Sequence, residues 1–109
     1  MLKSFVSVYV PGTTGLTGEL TKQKQAEYAR ETARKLFAEF GGATAIPSTG
    51  YYVSDDGTLV EESVIIVKSY HDKPAESALE FARTIAQWIK DSLGQEAVSV
   101  ETESGLEFI

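Results

Sequence analysis

Residues 41–70, GGATAIPSTGYYVSDDGTLVEESVIIVKSY, decide the fold that the sequence predicts. Two runs rich in Val, Ile, Thr and Tyr flank Asp56-Gly57, a pair that supplies the positive φ angles of a tight hairpin turn. The stretch therefore predicts one long β-hairpin. Pro47 cannot donate a ladder hydrogen bond, so we expect the first strand of the hairpin at a sheet edge. The continuous apolar run at residues 64–67 favours burial of the second strand on both faces.

A helix is predicted on each side of this hairpin, over residues 22–40 and 75–93, from apolar side chains at helical spacing. A further strand is predicted beyond each helix, at residues 2–10 and 95–102. The order β-α-β-β-α-β with right-handed crossovers indicates an α+β ferredoxin-like sandwich, in which a four-stranded antiparallel sheet of order 4-1-3-2 carries two helices on one face. The 109 residues are predicted to form a single domain, whose residues 103–109 form a short tail that docks or adds a strand.

The composition excludes several classes of function. A formal charge of −6 argues against a nucleic-acid partner, because phosphate neutralisation requires clustered Lys and Arg. The absence of cysteine excludes disulfides, thiolate metal sites and cysteine nucleophiles. We find no apolar run long enough for a bilayer and no signal-peptide pattern, which predicts a cytoplasmic protein with no membrane partner. No metal site and no cofactor is expected.

The sheet face turned away from the helices is expected to carry apolar side chains. Both faces of the central strands carry apolar side chains, either valines and isoleucines or aromatic residues such as Phe5, Tyr9 and Tyr70. Some of them therefore remain on the face away from the helices, whichever face the helices cover. An apolar face of this kind is typical of an interface or a ligand groove. The preferred interpretation is a non-enzymatic protein that acts by binding, as a homodimer packed sheet to sheet. The alternative is a small-molecule-binding or enzymatic dimeric ferredoxin-like protein with a pocket on the open face.

The candidate ligand-binding residues lie mainly on the hairpin. Glu61 and Glu62 are adjacent in a strand and therefore point to opposite faces. If the turn pairs Asp55 with Thr58, one tyrosine of the first strand lies opposite each glutamate. A carboxylate beside a tyrosine is an acid/base pair when desolvated, or a plain cross-strand contact when exposed. The full set of candidates is Tyr9, Tyr51, Tyr52, Glu61, Glu62 and His71.

Two further features, His71 and a glycine-rich segment, are less specific indications of a functional site. His71 is the single histidine and follows the second hairpin strand, where the polar sequence predicts a solvated loop residue. The glycine-rich segment after the first strand precedes a helix, which is the usual place for a loop that binds an anion with backbone N–H groups. It lacks the Walker and dinucleotide-binding spacings, so an ordinary structural loop is the alternative. The anion-loop candidates are Gly12, Thr13, Thr14 and Gly15.

The hairpin also resembles a known kind of domain. Its sequence is similar to a motif of small bacterial domains of unknown function. The matching residues are Gly50-Tyr51-Tyr52, then Asp56-Gly57, then Glu61-Glu62-Ser63 before the Val-Ile run. The resemblance implies a ferredoxin-like fold without an assigned activity. It singles out Gly50, Tyr52, Gly57 and Glu62.

Overall fold

The computed structural model describes residues 1–14 and 18–109. Seven strands and two helices occur in these residues. In chain order they are β1 (Ser4–Pro11), β2 (Thr13–Thr14), β3 (Gly18–Glu19), α1 (Lys22–Phe40), β4 (Thr44–Val53), β5 (Leu59–His71), α2 (Ala75–Leu93), β6 (Ser99–Thr102) and β7 (Gly105–Phe108).

The main sheet has five antiparallel strands in the order β4-β5-β1-β6-β7, and β2 and β3 form a separate two-stranded sheet. The predicted four-stranded ferredoxin-like sandwich is therefore wrong. Gly105 adopts a φ of 139°, a conformation that favours glycine, and the chain turns back there so that β7 pairs with β6. The tail thus becomes an edge strand, and Ile109 continues the pairing through hydrogen bonds to Val98.

Both helices begin and end where the sequence predicts. The Thr21 hydroxyl accepts a hydrogen bond from the Lys24 N–H and caps α1, while Gly41 and Gly94 end α1 and α2 in the left-handed region. The helices pack on one face of the sheet, against the fully buried side chains of Val6, Val8 and Val10. The opposite face, which carries Phe5, Ser7 and Tyr9, has no helix.

The hairpin has a different register from the one predicted. Tyr51 lies opposite Glu61 and Gly50 opposite Glu62, which shifts the expected tyrosine–glutamate pairs by one residue. The Ser54 N–H bonds to the Thr58 carbonyl at 2.9 Å, so the connection has three residues, 55–57, with Gly57 at positive φ. A three-residue loop of this kind ends with a left-handed residue, whereas the prediction assumed a two-residue turn. β4 lies at the sheet edge, as Pro47 predicted.

β1 is shorter than its neighbour β5, and this difference creates the gap in which the site lies. The last residue of β1, Pro11, pairs with Val64, while β5 extends five residues further, over 59–63, with only β4 beside it. On the other side of β1, β6 pairs with it only as far as Val8 and Val100. Beyond Pro11 the end of the hairpin therefore faces the connector between α2 and β6 across an opening.

Candidate functional site

A groove of about 1060 Å³ occupies this opening. Three parts of the chain form it: the segment between β1 and α1, the end of the hairpin, and the connector 95–97 with the adjacent strands. The lining residues used below are Gly12, Thr13, Glu19, Lys22, Gln25, Tyr52, Glu61, Glu62, Ser63, Gln95, Glu96 and Phe108.

Gln25 joins α1 to the ends of β1 and β5 beneath the groove. It lies in the first turns of α1 and is only 4% exposed. Its Nε2 donates to the carbonyls of Val10 (3.4 Å) and Ser63 (3.2 Å), and its Oε1 accepts from the Ser63 hydroxyl at 3.0 Å. The backbone approaches closely here, because a Cβ on Gly12 would stand 2.7 Å from the Ser63 carbonyl oxygen. Gly12 and Gln25 together fix where the hairpin leaves the body of the protein.

Gln95 stabilises the opposite wall of the groove. Gly94 ends α2 with a φ of 65°, which redirects the chain toward the groove. The Gln95 Nε2 then donates to both the carbonyl and the hydroxyl oxygen of Thr13, the latter at 3.0 Å. This contact ties the connector 95–97 to the segment that follows β1.

The hairpin wall carries the two adjacent glutamates and a tyrosine. Glu62 is half-buried and Glu61 is exposed. The Tyr51 hydroxyl is 3.5 Å from the Glu61 Oε1, a long contact at an exposed position. Gly50, opposite Glu62, has no side chain, and even a Cβ there would be in ordinary contact with the Glu62 Cγ at 3.8 Å. Glu62 therefore borders the groove with no β4 side chain directly opposite it.

Negative charge predominates around the groove. Among the described residues its lining contains four glutamates and one lysine, Lys22 in the first turn of α1. Walls of one charge raise the local concentration of the opposite charge. The groove also has two exposed rings, with Tyr52 52% and Phe108 72% exposed. The arrangement suits a cationic ligand that has an aromatic part.

The structure brings together five of the residues predicted from the sequence: Tyr52, Glu61, Glu62, Gly12 and Thr13 all line the groove. Tyr51 is adjacent through its contact with Glu61. Thr14 pairs with Gly18 in the small sheet, where the sequence predicted a loop, and it is not among the lining residues. Gly15 lies outside the described residues.

Tyr9 and His71 lie elsewhere. The Tyr9 hydroxyl donates to the Glu101 Oε1 at 2.8 Å on the helix-free face, and partial burial together with this carboxylate raises the pKa of Tyr9 above its ordinary value. His71 ends β5, ten residues and thus about 33 Å along the strand from Glu61. It is 3% exposed, its ring lies 5.0 Å from that of Phe40, and its Nδ1 accepts from the Lys73 N–H. The prediction of a solvated histidine is wrong, because the strand continues to residue 71 and passes beneath the end of α1.

Sequence reasoning missed Gln25, Gln95 and Phe108. A signal existed for Gln25, which lies four residues before Ala29 and so continues the apolar stripe of α1 with an amide. A polar residue on a buried stripe requires hydrogen-bond partners, and those partners are the ends of β1 and β5. Gln95 carried no comparable signal, since its role depends on Thr13 lying nearby in space.

Comparison with solved structures identifies the fold. The chain has the fold of a phage SAM lyase. The structure of that lyase in complex with S-methyl-5'-thioadenosine matches with a TM-score of 0.73 and 16% identity over 97% of this chain and 88% of the lyase. Its apo structure matches with a TM-score of 0.73 and 18% identity over 99% and 89%. No protein-family model and no curated protein sequence matches the chain.

Two features are absent from residues 1–14 and 18–109. No helix there is long and apolar enough to cross a membrane. No group of three or more His, Cys, Asp or Glu side chains there is placed to hold a metal ion. The cytoplasmic location stays a prediction from the sequence.

Proposed function

We propose that the protein is an enzyme that binds S-adenosylmethionine in the groove and cleaves it to S-methyl-5'-thioadenosine. The observation that carries the proposal is an acidic groove with exposed aromatic rings in a chain that shares its fold, over nearly its whole length, with a SAM lyase. This supports the small-molecule alternative over the preferred non-enzymatic interpretation.

The groove offers a group for each part of this substrate. Tyr52 and Phe108 provide rings on which a purine stacks. Glu61 and Glu62 attract the positive sulfonium. Lys22, at the N-terminal end of α1, provides a positive side chain for the carboxylate of the amino-acid end.

The reaction itself requires little acid/base chemistry. When the bond between the sulfonium sulfur and the amino-acid chain breaks, the electron pair stays on sulfur and leaves a neutral thioether. The substrate's own carboxylate oxygen bonds to the departing carbon and closes it as a lactone, so that no co-reactant is consumed. The positive charge disappears along this path, and carboxylates near the sulfur therefore stabilise the substrate more than the transition state. Their role is to bind and orient the reacting conformer.

Glu62 provides the sharpest test. Replacing Glu62 by Gln keeps the shape of the side chain and removes one charge, so the affinity for cationic S-adenosylmethionine should fall about tenfold, or about 1.4 kcal/mol. The affinity for neutral S-methyl-5'-thioadenosine should change less than about threefold, which is below about 0.7 kcal/mol. Isothermal titration with both compounds measures the ratio, and chromatography with mass detection measures product formation.

Glu39→Gln is the matched control, because Glu39 is an exposed carboxylate at the far end of α1. It should leave both affinities unchanged. If the wild-type protein neither binds S-adenosylmethionine nor forms S-methyl-5'-thioadenosine, the proposed function is wrong. If Glu62→Gln lowers the affinity for both compounds equally, the carboxylate does not recognise the sulfonium charge.

A second proposal concerns assembly. The face of the main sheet without helices carries side chains that are large, apolar and exposed: Ile46, Tyr52, Tyr70, Leu106 and Phe108. Large apolar side chains exposed on one face are typical of an interface. This supports self-association of the chain through that face, which the sequence also predicted.

A further inference from the structure

The hydrogen-bond ladder between β1 and β5 stops beneath the groove, and a side chain continues it there. Pro11 and Val64 are the last backbone pair of the two strands. One residue further, Gly12 no longer pairs with β5. The Ser63 carbonyl, which would belong to the next rung, accepts from the Gln25 Nε2 at 3.2 Å. The amide of Gln25 thus takes the place of a backbone group at the point where the strands separate.

Gln25 holds residue 63 at two atoms. Its Nε2 donates to the Ser63 carbonyl, and its Oε1 accepts from the Ser63 hydroxyl at 3.0 Å. The first bond restrains the position of the backbone, and the second restrains its rotation about the strand. Side chains of successive strand residues point to opposite faces, so Glu62 is directed to the other side of β5. The contact that fixes Ser63 therefore also restricts where the Glu62 side chain lies.

Other restraints on this part of β5 are few. Residues 59–63 pair only with β4, and Gly50, the partner of Glu62, has no side chain to pack against it. A two-stranded ribbon without further support is at best marginally stable in water. Within residues 1–14 and 18–109, Gln25 is the one residue outside the hairpin that hydrogen-bonds to this segment.

We propose that Gln25 is a positioning residue, which sets the distance and orientation of the Glu62 carboxylate toward the sulfonium of the bound substrate. The inference rests on the proposed function and adds to it a residue that acts through Glu62. Gln25 is only 4% exposed, and its amide atoms are bonded to Val10 and Ser63, so it acts from beneath the groove. A displacement of about 1 Å at a group that orients a substrate costs up to about a hundredfold in rate.

A double-variant cycle with Glu62 tests this role. Gln25→Met keeps the length of the side chain and removes its donor and acceptor, so that the end of the hairpin is no longer held. In isothermal titration, the affinity for S-adenosylmethionine should fall about tenfold, whereas that for neutral S-methyl-5'-thioadenosine should change less than about threefold. In the Glu62→Gln background, Gln25→Met should lower the affinity for S-adenosylmethionine by less than about twofold more, because the residue that it positions no longer has a charge.

Gln23→Met is the matched control, since Gln23 is an exposed glutamine of the same helix that does not line the groove. It should leave both affinities unchanged. Ser63→Ala removes the hydroxyl bond but keeps the bond from the amide to the carbonyl, and should lower the affinity for S-adenosylmethionine about threefold. Ser63→Thr keeps a hydroxyl at this position and should recover the affinity. Circular dichroism checks the folding of every variant, and Ser63→Ala replaces Gln25→Met in the cycle if the latter does not fold.

The outcomes separate the positioning role from the proposed function. A wild-type protein that binds neither compound overturns the proposed function and the role of Gln25 with it. If the wild type binds S-adenosylmethionine but Gln25→Met lowers the affinity for both compounds equally, Gln25 only supports the fold and the positioning role is wrong. An effect of Gln25→Met that is as large in the Glu62→Gln background as in the wild type, or unchanged affinities in both Gln25→Met and Ser63→Ala, would also overturn the role while the function stands.

Discussion

At the scale of single residues, Thr32 is a core residue that breaks the general rule on buried polar groups. It is fully buried on the inner side of α1, and its Oγ1 has no hydrogen-bond partner among the described residues. A buried hydroxyl without a partner costs about 1–3 kcal/mol in desolvation. The core around it is otherwise formed by apolar side chains such as Leu36 and Ile89.

Replacing Thr32 by Val should therefore stabilise the protein by about 1 kcal/mol, because valine has nearly the same shape and needs no partner. Urea denaturation followed by fluorescence of Trp88 measures the change. Thr84→Val is the control, since the Thr84 hydroxyl donates to the Phe81 carbonyl at 2.7 Å on an exposed face. A lower midpoint for Thr32→Val would show that the hydroxyl contributes to α1 by bonding to its own helix.

The candidate residues that line the groove and the candidate that lies far from it differ in what determines their position. Tyr52, Glu61 and Glu62 line the groove because the hairpin that carries them is specified by local sequence. His71 was misplaced because its burial depends on Phe40, which arrives from a different element. Whether a polar side chain at the end of a strand meets water is decided by tertiary packing, which no local pattern reports.

At the scale of elements, the helices were predictable to the residue and the hairpin register was not. Thr21, Gly41 and Gly94 act through their own backbone and side-chain geometry, so the sequence marks each of these helix ends. A hairpin register depends on the loop length, and Asp56-Gly57 is compatible with loops of two or three residues. The three-residue loop is selected by side chains around it, chiefly Asp56.

Asp56 makes this turn sensitive to acid. Its Oδ1 accepts from the Thr58 N–H at 2.9 Å and from the Ser54 hydroxyl. The bonds from Ser54 and Thr58 lower the pKa of Asp56 from 3.8 to about 2. A lowered pKa means that the turn is fully stabilised above pH 3.8 and loses this contribution as the pH falls through about 2.

NMR titration of the Asp56 carboxyl should thus give a midpoint near 2, and the Thr58 amide should begin to exchange faster as the pH falls from 4 toward 2. In Asp56→Asn the Thr58 amide should show no step in this range. Asp55, next to it in the same loop, is the control for general acid effects. A midpoint for Asp56 near 3.8 would show that the carboxylate does not hold the turn.

At the scale of the whole molecule, the sequence predicted two helices against an antiparallel sheet but not the extent of that sheet. The apolar side chains in residues 103–109 predict a tail that docks or adds a strand, and only its position beside β6 decides for the strand. The groove was hidden for the same reason. It exists because β1 stops at Pro11 while β5 continues, and such a difference in strand length becomes visible only once the strands are in register.

Removing residues 105–109 tests how far the fifth strand supports the fold. Ile109 packs against the core and exchanges two backbone hydrogen bonds with Val98, at 3.2 and 2.9 Å, and Glu107 pairs with Arg83 on α2 at 2.8 Å. Loss of the apolar contact, of these two backbone bonds and of the β6–β7 ladder should lower the free energy of unfolding by at least about 3 kcal/mol. Urea denaturation measures this, with Glu107→Gln as the control that keeps β7 but removes the exposed ion pair. An unchanged midpoint for the truncated chain would mean that β4, β5, β1 and β6 form a self-sufficient sheet, and that β7 serves mainly to place Phe108 at the groove.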